Sequence, residues 1–226
     1  MSCLPFETYF SFPALRRRKV PQQALNNLVT VLALSLVLLF FTALSADADV
    51  KLPAVISDNM VLQKGTQVPI WGTAEPSERV TVTMGEQQVK TTADSEGRWI
   101  IKLEPLDVDE PFEITVAGNN IITLHNVLVG EVWVCSGQSN MWWPVSLAAN
   151  SEQEIAESDY PKIRLFTVKQ TVAEQPLEDT KGTWVACSPE TVKSFSAVGY
   201  FFGRYLHKEL DTPVGLIHSS WGGTPA

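Results

Sequence analysis

Ser139 stands in the run EVWVCSGQSNMWW (131–143), just past an alternating apolar strand and between Gly137 and two tryptophans. A serine hydroxyl in that position has two possible uses. At a strand-to-helix turn it can attack an ester, given a base to take its proton and N–H donors for the developing oxyanion. It can also serve only as a turn residue, a common role for Ser among Gly, Gln and Asn. GQSNM is not the Gly-x-Ser-x-Gly elbow of the α/β-hydrolases, because Met141 occupies the place of the second glycine. Gly222 and Gly223 close a second short apolar run, PVGLIHSSWGG. Trp142, Trp143 and Trp221 flank the two stretches and can stack on a sugar face or pack into a core. Asn140 can donate a hydrogen bond in a site or stabilise the turn. His125, His207 and His218 are scattered, no metal-ligand cluster is visible, and no cofactor is expected. Cys135, four residues before Ser139, reads as a small core residue.

The elements that must position these residues fall into two regions. From Leu52 to about Val127 short alternating runs (VPIWGTA, RVTVTM, QVKTTA, RWIIKL, FEITVAG, IITLHNVLV) are separated by Gly, Asn, Asp and Pro. That pattern predicts an antiparallel β-sandwich over 51–127. From 128 to 226 strand-like runs (EVWVCSG, KIRLFTV, TPVGLIHSS) alternate with helical spacing in SLAANSEQEIAESDY and SAVGYFFGRYLHKEL. This half reads as α/β with a parallel sheet. Ligand sites in such sheets lie at the carboxyl ends of strands, where both Ser139 and Gly222-Gly223 fall.

The first 45 residues read differently. Arg16–Lys19 precedes an uncharged run of 17 residues, Leu28 to Leu44, and then small residues around Ser45 and Ala48. The order is that of an export signal, with an uncleaved membrane anchor as the alternative. The chain is therefore expected to be exported, touching a membrane only through this segment if it is not cleaved. Of the 17 Lys/Arg and 25 Asp/Glu, four basic residues and Glu7 lie in that segment. The rest carries 13 basic and 24 acidic residues, a net charge of −11, which argues against nucleic acid and favours neutral ligands. Cys135 and Cys187, the cysteines left beyond it, permit one disulfide in an oxidising compartment.

Taken together, GEVWVCSGQSNMWW, FSAVGYFFGRYLHKEL and PVGLIHSSWGGTPA resemble the sialate O-acetylesterase group of the SGNH-type serine esterases. LPAVISDNMVLQKGTQVPIWGTAEPSERVTV resembles the β-sandwich that precedes the catalytic domain in bacterial members. The resemblance implies that Ser139 is the nucleophile. It implies that the Ser139 N–H and a glycine of Gly222-Gly223 form part of the oxyanion hole, and that the substrate is an O-acetylated sugar or glycan. Members of the group use a late Asp-x-x-His pair as base. Here the residues three before the histidines are Ile122, Arg204 and Gly215, and His218, near a strand end, is the one tempting substitute. The expectation is a β-sandwich followed by the N-terminal part of an SGNH-like domain, inactive alone for want of its base. The rival expectations are a carbohydrate-binding surface protein without catalysis and an acetylesterase acting on xylan or another polysaccharide.

Overall fold

The computed structural model describes Gln23, residues 49–108 and residues 110–223; apart from Gln23, the expected export segment lies outside the described residues. Among these residues no helix is long and apolar enough to cross a membrane.

Seven strands come first: β1 (Val61–Gln63), β2 (Val68–Thr73), β3 (Arg79–Met84), β4 (Gln87–Thr92), β5 (Arg98–Leu103), β6 (Phe112–Ala117) and β7 (Ile121–Cys135). Short helices α1 (Ser139–Trp142) and α2 (Ser151–Ala156) follow, then β8 (Tyr160–Thr167), β9 (Trp184–Cys187), helix α3 (Ala197–Leu210) and β10 (Val214–His218). One mixed sheet runs in the order β4-β3-β6-β7-β10-β8-β9, with β1 also beside β7, and β2 and β5 form a two-stranded antiparallel pair.

Alternation explains the antiparallel part. Val80, Val82 and Met84 of β3 and Trp99, Ile101 and Leu103 of β5 point inward, while their neighbours face out. Both sets join one core with Ile70, Ile114, Val116 and Leu124. β4 lies at the edge with its polar side chains and Lys90 outward, a composition that discourages further strand pairing. β8 has no such alternation. Ile163, Arg164, Leu165 and Phe166 are all buried because both faces of β8 are covered: Phe166 joins the core of the antiparallel part, and Ile163 and Leu165 join a second core with Tyr200 and Leu216. Buried Arg164 has no carboxylate partner among its hydrogen bonds; it donates to the Pro161, Asn59 and Asn126 oxygens instead.

The structure departs from the sequence reading in several places. IITLHNVLV and EVWVCSG are not two strands but one, β7. Gly130 lies inside this strand, and its missing side chain is what lets the strand pass, because a Cβ there would run into the Pro213 carbonyl oxygen. Positions 127 and 128 lie inside β7, where its partner changes from antiparallel β6 to parallel β1 and then β10. The expected helix over 146–160 shrinks to one 3-10 turn at Val145–Leu147 and the six residues of α2, with Asn150 between them in the left-handed region at φ 54°. β7, β10 and β8 are parallel as expected, but β9 adds an antiparallel edge that the sequence reading did not contain. No disulfide forms. Cys135 and Cys187 are free and buried, and the Cys187 thiol donates to the Ser158 carbonyl at 3.3 Å. Burial, with Asp159 adding to it, pushes Cys187 up to about 12, so it stays an inert thiol.

α3 begins where its sequence says it should. The Ser196 hydroxyl accepts from the Gly199 N–H at 3.1 Å as an N-cap, and Asp211 ends the helix in the left-handed conformation. Its buried stripe is small: a Cβ on Gly203 would come within 2.6 Å of Leu216 Cδ1. The helix can therefore lie close against β10 and fix the height of that strand's end.

Candidate active site

β7 and β10 run side by side and parallel, with His218 opposite Cys135, so both chains leave the sheet at the same edge. They stay together beyond it. The Ser219 N–H donates to the Cys135 carbonyl at 3.0 Å, and the Trp221 N–H donates to the Gly137 carbonyl at 3.1 Å. Gly137, at φ 142°, and Gly223, at φ 79°, supply backbone turns that a side chain would strain. The result is that Ser139, exposed at the first position of α1, lies against Gly222. A Cβ on Gly222 would sit 3.7 Å from Ser139 Oγ and 3.8 Å from Ser139 Cα. The hydroxyl therefore lies at the start of α1 and beside the Gly222 backbone, where the first N–H groups of α1 have no partner within their own helix. An ester carbonyl entering there meets a hydroxyl and backbone donors, the components that acyl transfer needs.

The flanking residues divide. Asn140 is exposed beside the hydroxyl. Trp142, 53% exposed, lines a cavity of about 230 Å³ with His218 and Ser220. Trp143 is held by the scaffold: its indole N–H donates to the Leu147 carbonyl at 3.0 Å, and its own carbonyl accepts from the Ala197 N–H at 2.8 Å. Trp143 therefore ties the site loop to the start of α3, and Trp142 is the tryptophan of the pair that faces the cavity.

None of the three histidines is shown bonded to Ser139. His125 is exposed and paired with Glu113 at 2.7 Å, and His207 Nδ1 lies 2.7 Å from the Thr212 carbonyl oxygen. His218 is buried, with Nε2 2.6 Å from Ser220 Oγ, its ring edge on Phe195, and Nδ1 without a hydrogen-bond partner. The tempting substitute base is thus committed to a different serine. Ser220 escaped the sequence reading, although its spacing of two from His218 on an extended run puts both on one face. Gln170, whose amide donates to the Ser220 carbonyl at 3.3 Å, escaped because it lies in a segment with no periodicity. Among the described residues no group of three His, Cys, Asp or Glu is placed to hold a metal.

Burial pushes His218 below its ordinary value of 6.5. The neutral ring is therefore favoured in the fold, and its contribution is fully present above 6.5. That contribution is lost as pH falls through the lower folded value, because the unfolded chain takes up the proton first. The urea midpoint of the chain is expected to drop from pH 7.5 to pH 5, and to drop less in His218→Gln. Equal drops in the two proteins would remove His218 from the account.

No protein-family model matches the chain. Sialate O-acetylesterase from Pongo abelii is 36% identical over 216 residues, covering 86% of this chain and 41% of that protein. The Homo sapiens protein of the same name is 36% identical over 219 residues with the same coverage, and the Rattus norvegicus protein 37% over 191 residues. The chain thus spans about two-fifths of the length of these relatives. Among solved structures, a carbohydrate acetylesterase from Xanthomonas citri superposes with a TM-score of 0.75 at 32% identity, covering 78% of this chain and 41% of that one.

Proposed function

We propose that this chain, a relative of the sialate O-acetylesterases over most of its length, carries the nucleophile half of a carbohydrate O-acetylesterase of the SGNH type. The observation that carries the reading is Ser139 Oγ lying against Gly222 at the ends of two adjacent parallel strands. Ser139 Oγ attacks the acetyl carbonyl, and its proton passes to a base. The Ser139 N–H and a glycine N–H of Gly222-Gly223 hold the oxyanion. The sugar leaves as its alcohol, and water then releases acetate from the acetyl-serine. The base is an Asp-x-x-His pair, a spacing that does not occur in these 226 residues, so this chain alone has little turnover. Residues 51–127 act as a β-sandwich-like module that supports the site. The test is release of acetate from O-acetylated sugars by this chain joined to an Asp-x-x-His segment, lost on Ser139→Ala. A second reading, a carbohydrate-binding protein without catalysis, draws on the commitment of His218 to Ser220; glycan binding without acetate release in any longer form would favour it.

The chain is further proposed to be exported with removal of its N-terminal segment, on the strength of Arg16–Lys19 and the apolar run Leu28 to Leu44. Mass spectrometry of protein from its native host should find an N-terminus between Ala46 and Lys51. Intact Met1 on a membrane-bound product would instead support the anchor.

A further inference from the structure

A second concavity, about 1060 Å³, opens beside the site between Trp71 on β2 and Trp221 just past β10, along the segment 168–181. Its volume lies just above the ~300–1,000 Å³ range of small-molecule sites, which leaves room for several linked sugar rings. Trp221, which lines the groove, immediately precedes Gly222, the residue against Ser139 Oγ, so the groove approaches the reaction centre at that residue. Trp71, on β2, brings the antiparallel part into the lining. The two indoles are 36% and 39% exposed, each offering a flat apolar surface of the kind that packs on a pyranose. The wall between them is polar and fastened at several points. The Lys169 N–H donates to the Lys181 carbonyl at 2.7 Å, the Ala54 N–H donates to Asp179 at 3.1 Å, and Gln170 is tied to Ser220.

The charge of the groove selects among glycans. Its lining carries Glu174, Glu178 and Asp179 against Lys169 and Lys181, and no arginine, the residue best shaped to grip a carboxylate. The carboxylate of a sialic acid is repelled by this net acidic wall; a neutral sugar carries no charge for it to act on.

We infer that this groove binds an extended, neutral glycan, with Trp221 under the sugar nearest the scissile acetyl and Trp71 under a sugar further along. The inference rests on the esterase reading for the orientation of the chain of sugars, and the binding itself does not need turnover. Isothermal titration calorimetry of the chain against xylohexaose, mannohexaose and hexasialic acid tests it. At least one neutral hexasaccharide is expected to bind more tightly than hexasialic acid. Trp71→Ala should weaken that binding by about tenfold while leaving the affinity for the matching disaccharide unchanged, and Trp71→Phe should restore most of it. Circular dichroism checks that each variant is folded. Tighter binding of hexasialic acid, no binding of either neutral hexasaccharide, or indifference of the hexasaccharide to Trp71→Ala overturns the inference. Failure of the esterase reading looks different: the hexasaccharide binds and depends on Trp71, but no longer form of the protein releases acetate.

Discussion

Ser139→Ala is expected to lower aryl-acetate hydrolysis by about four to six orders of magnitude in a polypeptide that joins this chain to an Asp-x-x-His segment. The size follows from the chemistry of the step. The Oγ is the atom that bonds to the acetyl carbon, and a methyl group in its place leaves only the oxyanion donors and binding to act on attack by water. Ala also preserves the backbone N–H at 139, so the variant tests the hydroxyl and not the hole. The substitution is expected to leave the fold intact, because Ser139 is exposed and heads a four-residue helix that buries nothing. The 226-residue chain by itself is expected to hydrolyse the same ester at close to the buffer rate, since a serine hydroxyl without a base remains protonated. Acetate release that survives Ser139→Ala would remove the nucleophile assignment. Release by the 226-residue chain, abolished by His218→Ala, would make His218 the base.

Trp184→Ala should cost about 3–5 kcal/mol of unfolding free energy, the range for emptying a large buried aromatic site. Trp184 is 1% exposed, and its ring packs on Phe166 at 5.3 Å between centroids. Its indole N–H donates to the Val55 carbonyl at 2.8 Å, reaching from β9 to the segment that leads into β1. The substitution therefore opens a cavity in the core that the antiparallel part shares with β8, and leaves a carbonyl without its partner. Urea unfolding reads the effect as a lower midpoint at unchanged slope. A loss below about 1 kcal/mol would show that the neighbours collapse into the space and that the shared core is softer than its burial indicates.

What the sequence disclosed follows from which signals are local. Alternation in RVTVTM and RWIIKL reads directly as β3 and β5, and the helical spacing in SAVGYFFGRYLHKEL reads as α3, because each pattern repeats within a few residues. The face α3 buries is Ala197, Gly199, Tyr200 and Gly203, while Val198, Phe202 and Tyr205 are exposed. The meeting of Ser139 with Gly222 was legible from a topological rule: parallel strands place their carboxyl ends on one edge. The continuity of β7 was hidden because Gly130 answers to the Pro213 carbonyl, a neighbour more than eighty residues away. β9 has only four residues and no period to detect. The groove wall at 168–181 has no regular structure, and its shape depends on bonds to Ala54 and Ser220 that no window of sequence contains.

β7 also bears on how such a protein can be inherited. Boundaries between exchangeable modules lie where few contacts cross, and recombination succeeds when it cuts there. Here the antiparallel and parallel regions meet in the middle of a single strand of 15 residues. A crossover near codon 128 would leave β6 and β10 each with its own stretch of β7, but it would part β1 from the Leu128–Gly130 stretch it pairs with. The two regions thus travel as a pair, joined by the β1–β7 ladder and by the core that Phe166 and Trp184 share with the antiparallel part.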